Sequence, residues 1–378
     1  MYSIARAATI GMAALASVAL VTGPATASSR STGQGGAPVF VQTDALDGNT
    51  VVAYSRNPDG SVAKAGAYRT GGKGGVLAGS VVDHLSSQGS LAYDSQHRLL
   101  YAVNAGSNTI TVFDVQGDEL RRRQVISSGG TFPVSVTTHG DVVCVLNALD
   151  GGSIQGYRWV GKLLLRIPAW HRELGLDPAA TPQFTHTPSQ ISFTPDGSKL
   201  IVTTKAGSDS IDVFSVDLLG APSPEPTVNA LGAGTVPFAF IFDARGRLVV
   251  TDAGPNDVAT YTIDRDGKLT ALGRVATGQL GTCWIAAAPE AVYASNVGSG
   301  SVSGYRDTGA GVLTPLGDTS TEAGTVDASV SSDGHYLYVQ IGKDGSLDAF
   351  RIGPDGSLTK VGRVTVPDAV GGEGIVAL

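Results

Sequence analysis

Asp327 and Glu373 are the first residues to weigh, because the repeat alignment set out below brings both to the starts of inner strands on adjacent repeats. Two acids facing one space can divide the work of hydrolysis. Their mutual repulsion raises one pKa, so that one group donates a proton while the other activates water. His186, two residues before Pro188, and His84 lie in connections that reach the same face, where an imidazole can polarise a carbonyl or carry a proton near neutral pH. Arg172 can clamp a carboxylate or phosphate through two parallel bonds, or pair with nearby Glu173 or Asp177. Gln190 and Cys283 stand level with Asp327 on two further repeats. Read as an enzyme, the chain offers Asp327, Glu373 and His186 as catalytic groups, with His84, Arg172, Gln190 and Cys283 binding substrate. The plainer alternative is that the acids cap turns or face channel water, the histidines sit in solvated loops, and Cys283 is a small buried hydrophobe. No CxxC or HExxH spacing occurs and no glycine-rich turn precedes a helix, so neither a metal site nor a cofactor is expected.

What must position these groups is a repeat. An apolar strand, a short turn, a second strand ending in a small polar residue, another turn and a third strand ending in an aromatic recur along the chain. The copies end at Tyr54, Phe113, Tyr157, Phe214, Tyr261, Tyr305 and Phe350. Each continues through a turn such as Asn57-Pro58-Asp59-Gly60 or Pro354-Asp355-Gly356 into a fourth strand, and Asp-Gly between apolar runs is a strong hairpin signal. Seven four-stranded antiparallel units of this length predict an all-β, seven-bladed β-propeller over residues 39–378. Six innermost strands are legible ahead of their repeats, but the first repeat opens directly on Val39-Phe40-Val41, already a second strand. Its missing partner is read at Gly374-Ile375-Val376-Ala377-Leu378, so the C-terminus is expected to close the ring and remove its open edge. The longest departure from the repeat is read at Pro168–Pro188. The polar residues Asn104, Asn147, Asp252 and Asn296, at the ends of second strands, are expected to bond the following turns. His97, His139 and His335 align with turns on the opposite face.

Composition narrows the partners. The 51 glycines follow no collagen period, and the charged fraction of 16% with 42% hydrophobic residues suits a large packed core. A formal net charge of −7 argues against nucleic acid and anionic membrane, and leaves a small-molecule substrate or ligand as the expected partner. Residues 1–27 read as a secretory signal: Arg6, an apolar stretch from Ala7 to Val21, then Ala25-Thr26-Ala27 as a cleavage site. The protein is therefore expected to be exported, to begin at Ser28, to carry a polar leader to residue 38 and not to insert in the membrane. Two cysteines, Cys144 and Cys283, are too few for a disulfide scaffold.

The segments Pro188-Ser189-Gln190-Ile191-Ser192-Phe193-Thr194-Pro195-Asp196-Gly197, Thr204-Lys205, Pro237-Phe238-Ala239-Phe240 and Thr282-Cys283-Trp284-Ile285 resemble the lactonase-like seven-bladed propellers. That group includes bacterial 6-phosphogluconolactonases and fungal carboxymuconate-lactonizing enzymes, and this sequence is most similar to its secreted branch. The resemblance implies metal-independent hydrolysis or isomerisation of a small lactone or related carboxylated ring. It also implies histidine, arginine and carboxylate side chains around the channel mouth, where His186 alone takes something like the family's histidine position. The alternative is an extracellular binding or scaffold propeller that keeps the fold without the chemistry.

Overall fold

The computed structural model describes residues 36–307 and 309–378; the expected signal peptide and most of the leader lie outside the described residues. Seven four-stranded antiparallel sheets follow one another, and their inner strands touch in sequence until the seventh meets the first. Blade two shows the pattern: Leu91–Asp94, Leu99–Asn104, Thr109–Gln116 and Glu119–Ser127 run outward as a meander. Blade one consists of Ile375–Ala377, Gly36–Gln42, Thr50–Arg56 and Val62–Arg69, in that spatial order. Ile375, Val376 and Ala377 pair with Val41, Phe40 and Val39, so the last residues of the chain supply the innermost strand of its first blade. The second strand of this blade begins at Gly36, within the stretch read as leader, because Gly36 pairs with Arg56 beyond an irregularity in the ladder.

The repeating aromatics explain how each blade bends. Tyr54, Phe113, Tyr157, Phe214, Tyr261, Tyr305 and Phe350 are all buried on third strands. In every blade but the fourth, the ladder to the outermost strand shifts register at or just before that aromatic. A bulge increases local twist, which lets the large ring pack between blades while the outer strand turns toward solvent. The turns are as demanding as the strands. Gly60 takes φ 91° in the Asn57–Gly60 hairpin, and a Cβ there would come within 2.0 Å of the Tyr336 ring of blade seven.

The connection that breaks the pattern is not the one expected. Residues 163–173 continue as a bulged fourth strand of blade three, which takes up the first six residues of the Pro168–Pro188 stretch. Among the described residues the longest run without strand is residues 70–90, between blades one and two. It crosses the mouth of the central channel.

Candidate functional site

Residues 83–90 form a plug tied to blades on opposite sides of the ring. The Ser87 hydroxyl donates to Val134 O of blade three at 3.0 Å, and Gln88 N donates to Ser189 O of blade four at 3.1 Å. Trp284 Nε1 of blade six donates to Ser87 O at 2.7 Å. Asp83 builds the turn that starts the plug: its two carboxylate oxygens accept Leu85 N at 2.8 Å and Ser87 N at 2.9 Å. This is local aspartate chemistry of the kind that makes turns.

Beneath the plug lie the carboxyl groups read from the repeat. Asp327 and Glu373 do come close enough to repel one another, but they do not line an open mouth. Asp327 is 4% exposed and Glu373 is fully buried. Glu373 accepts Gly89 N at 3.0 Å and the Ser87 hydroxyl at 3.3 Å, while its own backbone N–H donates to Asp44 at 2.9 Å. Burial, then repulsion by Asp327, Asp83 and Asp44, holds Glu373 well above the ordinary carboxyl range. Burial likewise raises Asp327, and it raises Asp44 to about 7. The fold thus favours the protonated, uncharged form of each of these groups, which is how several acids occupy one desolvated space. Among the described residues no group of histidine, cysteine, aspartate or glutamate side chains is arranged to hold a metal ion.

The remaining expected residues separate. Gln190 is a latch between blades four and five, donating to Phe240 O at 3.0 Å and accepting Phe240 N at 2.7 Å, so its amide is committed within the fold. Arg172 lies on the outermost strand of blade three, where its guanidinium is consumed by the carbonyls of Ala169, His171, Pro222 and Ser223; it clamps a neighbouring hairpin rather than a ligand. His186 follows the short Gln183–Thr185 turn, bonds Pro182 O and the Thr185 hydroxyl at 2.9 Å, and lines shallow cavities with Leu176 and Asp177. It is not part of the Asp327–Glu373 cluster. His84 packs on Gly371, where φ is 78° and a Cβ would stand 2.1 Å from Nε2. Burial lowers the His84 pKa, and its Nδ1 is buried without a partner.

Cys283 leads to a different site. With Asp83, Ser86 and Lys205 it lines a 250 Å³ cavity between the plug and blades four to six. The other walls are mainly hydrocarbon: Val82, Phe184, Val236, Phe238, Trp284 and Val297. Lys205 follows directly on the second strand of blade four and is only 2% exposed. Its ammonium donates to Ser86 O at 2.6 Å and Ser86 Oγ at 3.1 Å, and stands 5.5 Å from the centre of the Phe238 ring. Ser86 itself takes φ 49°, a conformation uncommon for a non-glycine residue. Desolvation brings Lys205 down to about 7 against the opposing pull of Asp83, while desolvation brings Asp83 up to about 6. Burial pushes the Cys283 thiol up to about 12, which keeps it protonated and poorly nucleophilic. Lys205 and Asp83 escaped the sequence reading as functional groups. The available signal was a lysine placed where the repeat puts a buried small polar residue, one position after Thr204.

No family model matches the sequence, and no curated protein sequence matches it significantly. Solved structures do match. A protein from Lactobacillus plantarum superposes with a TM-score of 0.73 at 19% identity, over 90% of this chain and 98% of its own. A candidate 6-phosphogluconolactonase from Bacteroides fragilis gives 0.70 at 19% identity, over 92% and 99%. The periplasmic gluconolactonase of Pseudomonas aeruginosa gives 0.66 at 17%, over 90% and 98%. The chain therefore has the seven-bladed architecture of the lactonase-like propellers. At these identities the likeness is one of fold.

Proposed function

We propose that the protein hydrolyses a small cyclic ester in the cavity walled by the plug and blades four to six. The observation that carries this reading is a buried ammonium, Lys205, and an interacting carboxylate, Asp83, in the wall of a space otherwise lined largely by hydrocarbon. Lactone opening develops negative charge on the carbonyl oxygen, and a preorganised cation in a dry site stabilises it far better than water does. Asp83 accepts a proton from a water molecule as that water's oxygen bonds to the carbonyl carbon. Lys205 meets the oxyanion. When the intermediate collapses, the ring C–O bond breaks and the leaving alkoxide takes the proton back from Asp83. Cys283, held as a thiol, serves as wall rather than nucleophile.

This assignment moves the chemistry from Asp327, Glu373 and His186 to Asp83 and Lys205. The test is a lactone panel run with wild-type protein, Lys205→Met and Asp83→Asn, with folding of each variant checked by thermal melting. Each substitution is expected to lower turnover by about 100-fold or more. Turnover indifferent to both would sink the site. A second reading, a ligand-binding propeller without turnover, is favoured by the burial of Asp327 and Glu373, which takes this acid pair away from the open channel. It predicts ligand binding in the same cavity and no hydrolysis across the panel. Export through cleavage after Ala27 belongs to the same proposal and rests on the leader sequence.

A further inference from the structure

The polar groups around the cavity are almost all committed. Ser80 Oγ donates to Asp83 O, and Ser86 Oγ donates to Phe184 O at 2.9 Å while accepting from Lys205. Thr185 Oγ1 bonds Pro182 O and His186, and Trp284 Nε1 donates to Ser87 O. Both oxygens of Asp83 already accept backbone N–H groups. Of the three ammonium hydrogens of Lys205, Ser86 takes two, leaving one for a guest. No arginine lines the space. The cavity thus offers a ligand one strong donor and much hydrocarbon, and at 250 Å³ it is below the size usual for drug-like ligands.

We propose that this cavity selects compact lactones with hydrocarbon rings or substituents, anchored by a single carbonyl on Lys205, and excludes polyhydroxylated or phosphorylated sugar lactones. The inference rests on the reading of the cavity as the reaction site. A sugar lactone entering it would strip water from several hydroxyls and find at most Asp83, which the attacking water needs, to accept from one of them, and a phosphate would face one shared cation with a carboxylate beside it. Unpaired polar groups of this kind are what pockets reject. Phe238 and Trp284, stacked edge to face with ring centroids 5.1 Å apart, give a flat guest such as a benzo-fused lactone an aromatic wall.

The experiment separates binding from turnover. Calorimetry on the full-length protein compares the unreactive lactam analogue of dihydrocoumarin with the lactam of gluconic acid. Hydrolysis of dihydrocoumarin and glucono-δ-lactone is followed in parallel. The apolar lactam is expected to bind about 100-fold more tightly than the sugar lactam or better. Its affinity should fall about tenfold or more in Ala253→Leu and in Val297→Phe, two partly exposed positions where a larger side chain fills the space. Equal or tighter binding of the sugar lactam, or apolar binding indifferent to both substitutions, would overturn the selectivity. Discrimination in binding with no hydrolysis of either lactone would uphold the selectivity and refute the hydrolase reading. Faster turnover of glucono-δ-lactone would do the reverse.

Discussion

Gln88 and Ile285, 197 positions apart, exchange two hydrogen bonds: Gln88 Nε2 donates to Ile285 O at 3.0 Å and Ile285 N donates to Gln88 Oε1 at 2.9 Å. The same two-bond exchange joins Gln190 to Phe240 between adjacent blades. In one case the amide mimics a strand partner for a neighbour. In the other it fastens a plug from the blade-two side of the ring to blade six. The plug is thus tethered at its end by Gln88, at its start by His84 N, which donates to Gly371 O at 2.8 Å, and below by Glu373. The cavity it roofs depends on that fastening.

Replacing Gln88 by alanine leaves a buried N–H and a buried C=O of Ile285 without partners, at about 1–3 kcal/mol each. The expected result is a loss of a few kcal/mol in denaturant unfolding, together with weakened ligand binding in the cavity. Gln190→Ala should lose similar stability with binding kept. Equal binding losses in the two variants would show that the plug does not shape the cavity.

Stability should depend on pH in two opposed limbs. Asp44, Asp83, Asp327 and Glu373 are raised in the folded protein, so between about 4 and 7 the folded chain holds protons that the unfolded chain has released. Stability therefore falls as pH rises through that window. Lys205 is lowered to about 7, so above that pH the unfolded chain holds the extra proton and stability recovers toward the ordinary lysine pKa. Chemical unfolding across pH 4 to 10 checks this. Glu373→Gln, which keeps an acceptor for Gly89 N without an ionisable group, should flatten the acid limb, and an unaltered limb would refute the assignment.

Catalysis, if it proceeds through Asp83 and Lys205, requires the carboxylate ionised and the amine charged. With the two at about 6 and about 7, kcat/KM should peak in a narrow band between those values and decline on both sides. Lys205→Arg should extend activity upward in pH if the guanidinium is accommodated. A rate that keeps climbing through pH 9 in the wild type would exclude a charged Lys205.

Deleting residues 374–378 strips the innermost strand from blade one, including Ile375 and Ala377, each 6% exposed. A fully buried isoleucine contributes about 1.5–3 kcal/mol, and the deletion also bares the backbone edge of Val39–Val41. The truncated chain should aggregate on gel filtration or melt far below the full-length protein. An unchanged melting temperature would mean that the ring does not need this closure.

The architecture was legible in the sequence because its determinants are local and repeated. Seven aromatics in register, Asp-Gly hairpin turns and a C-terminal apolar run without a partner of its own define the blades, their number and the strand that closes them. The shared level of Asp327 and Glu373 was legible for the same reason, since both obey the repeat. Tertiary structure decided what the repeat does not govern. Residues 70–90 follow no period, and only folding shows that Ser87 and Gln88 cross the channel, so Asp327 and Glu373 become buried acids instead of rim groups. Arg172 looked like a ligand clamp until the strand through Glu173 placed it on the outer side of its blade. Lys205 is one ammonium in a stretch that otherwise reads as ordinary strand and turn. What gives it a low pKa is the plug residue Ser86, the ring of Phe238 and the desolvation they impose, contacts made by segments 33 to 119 residues away.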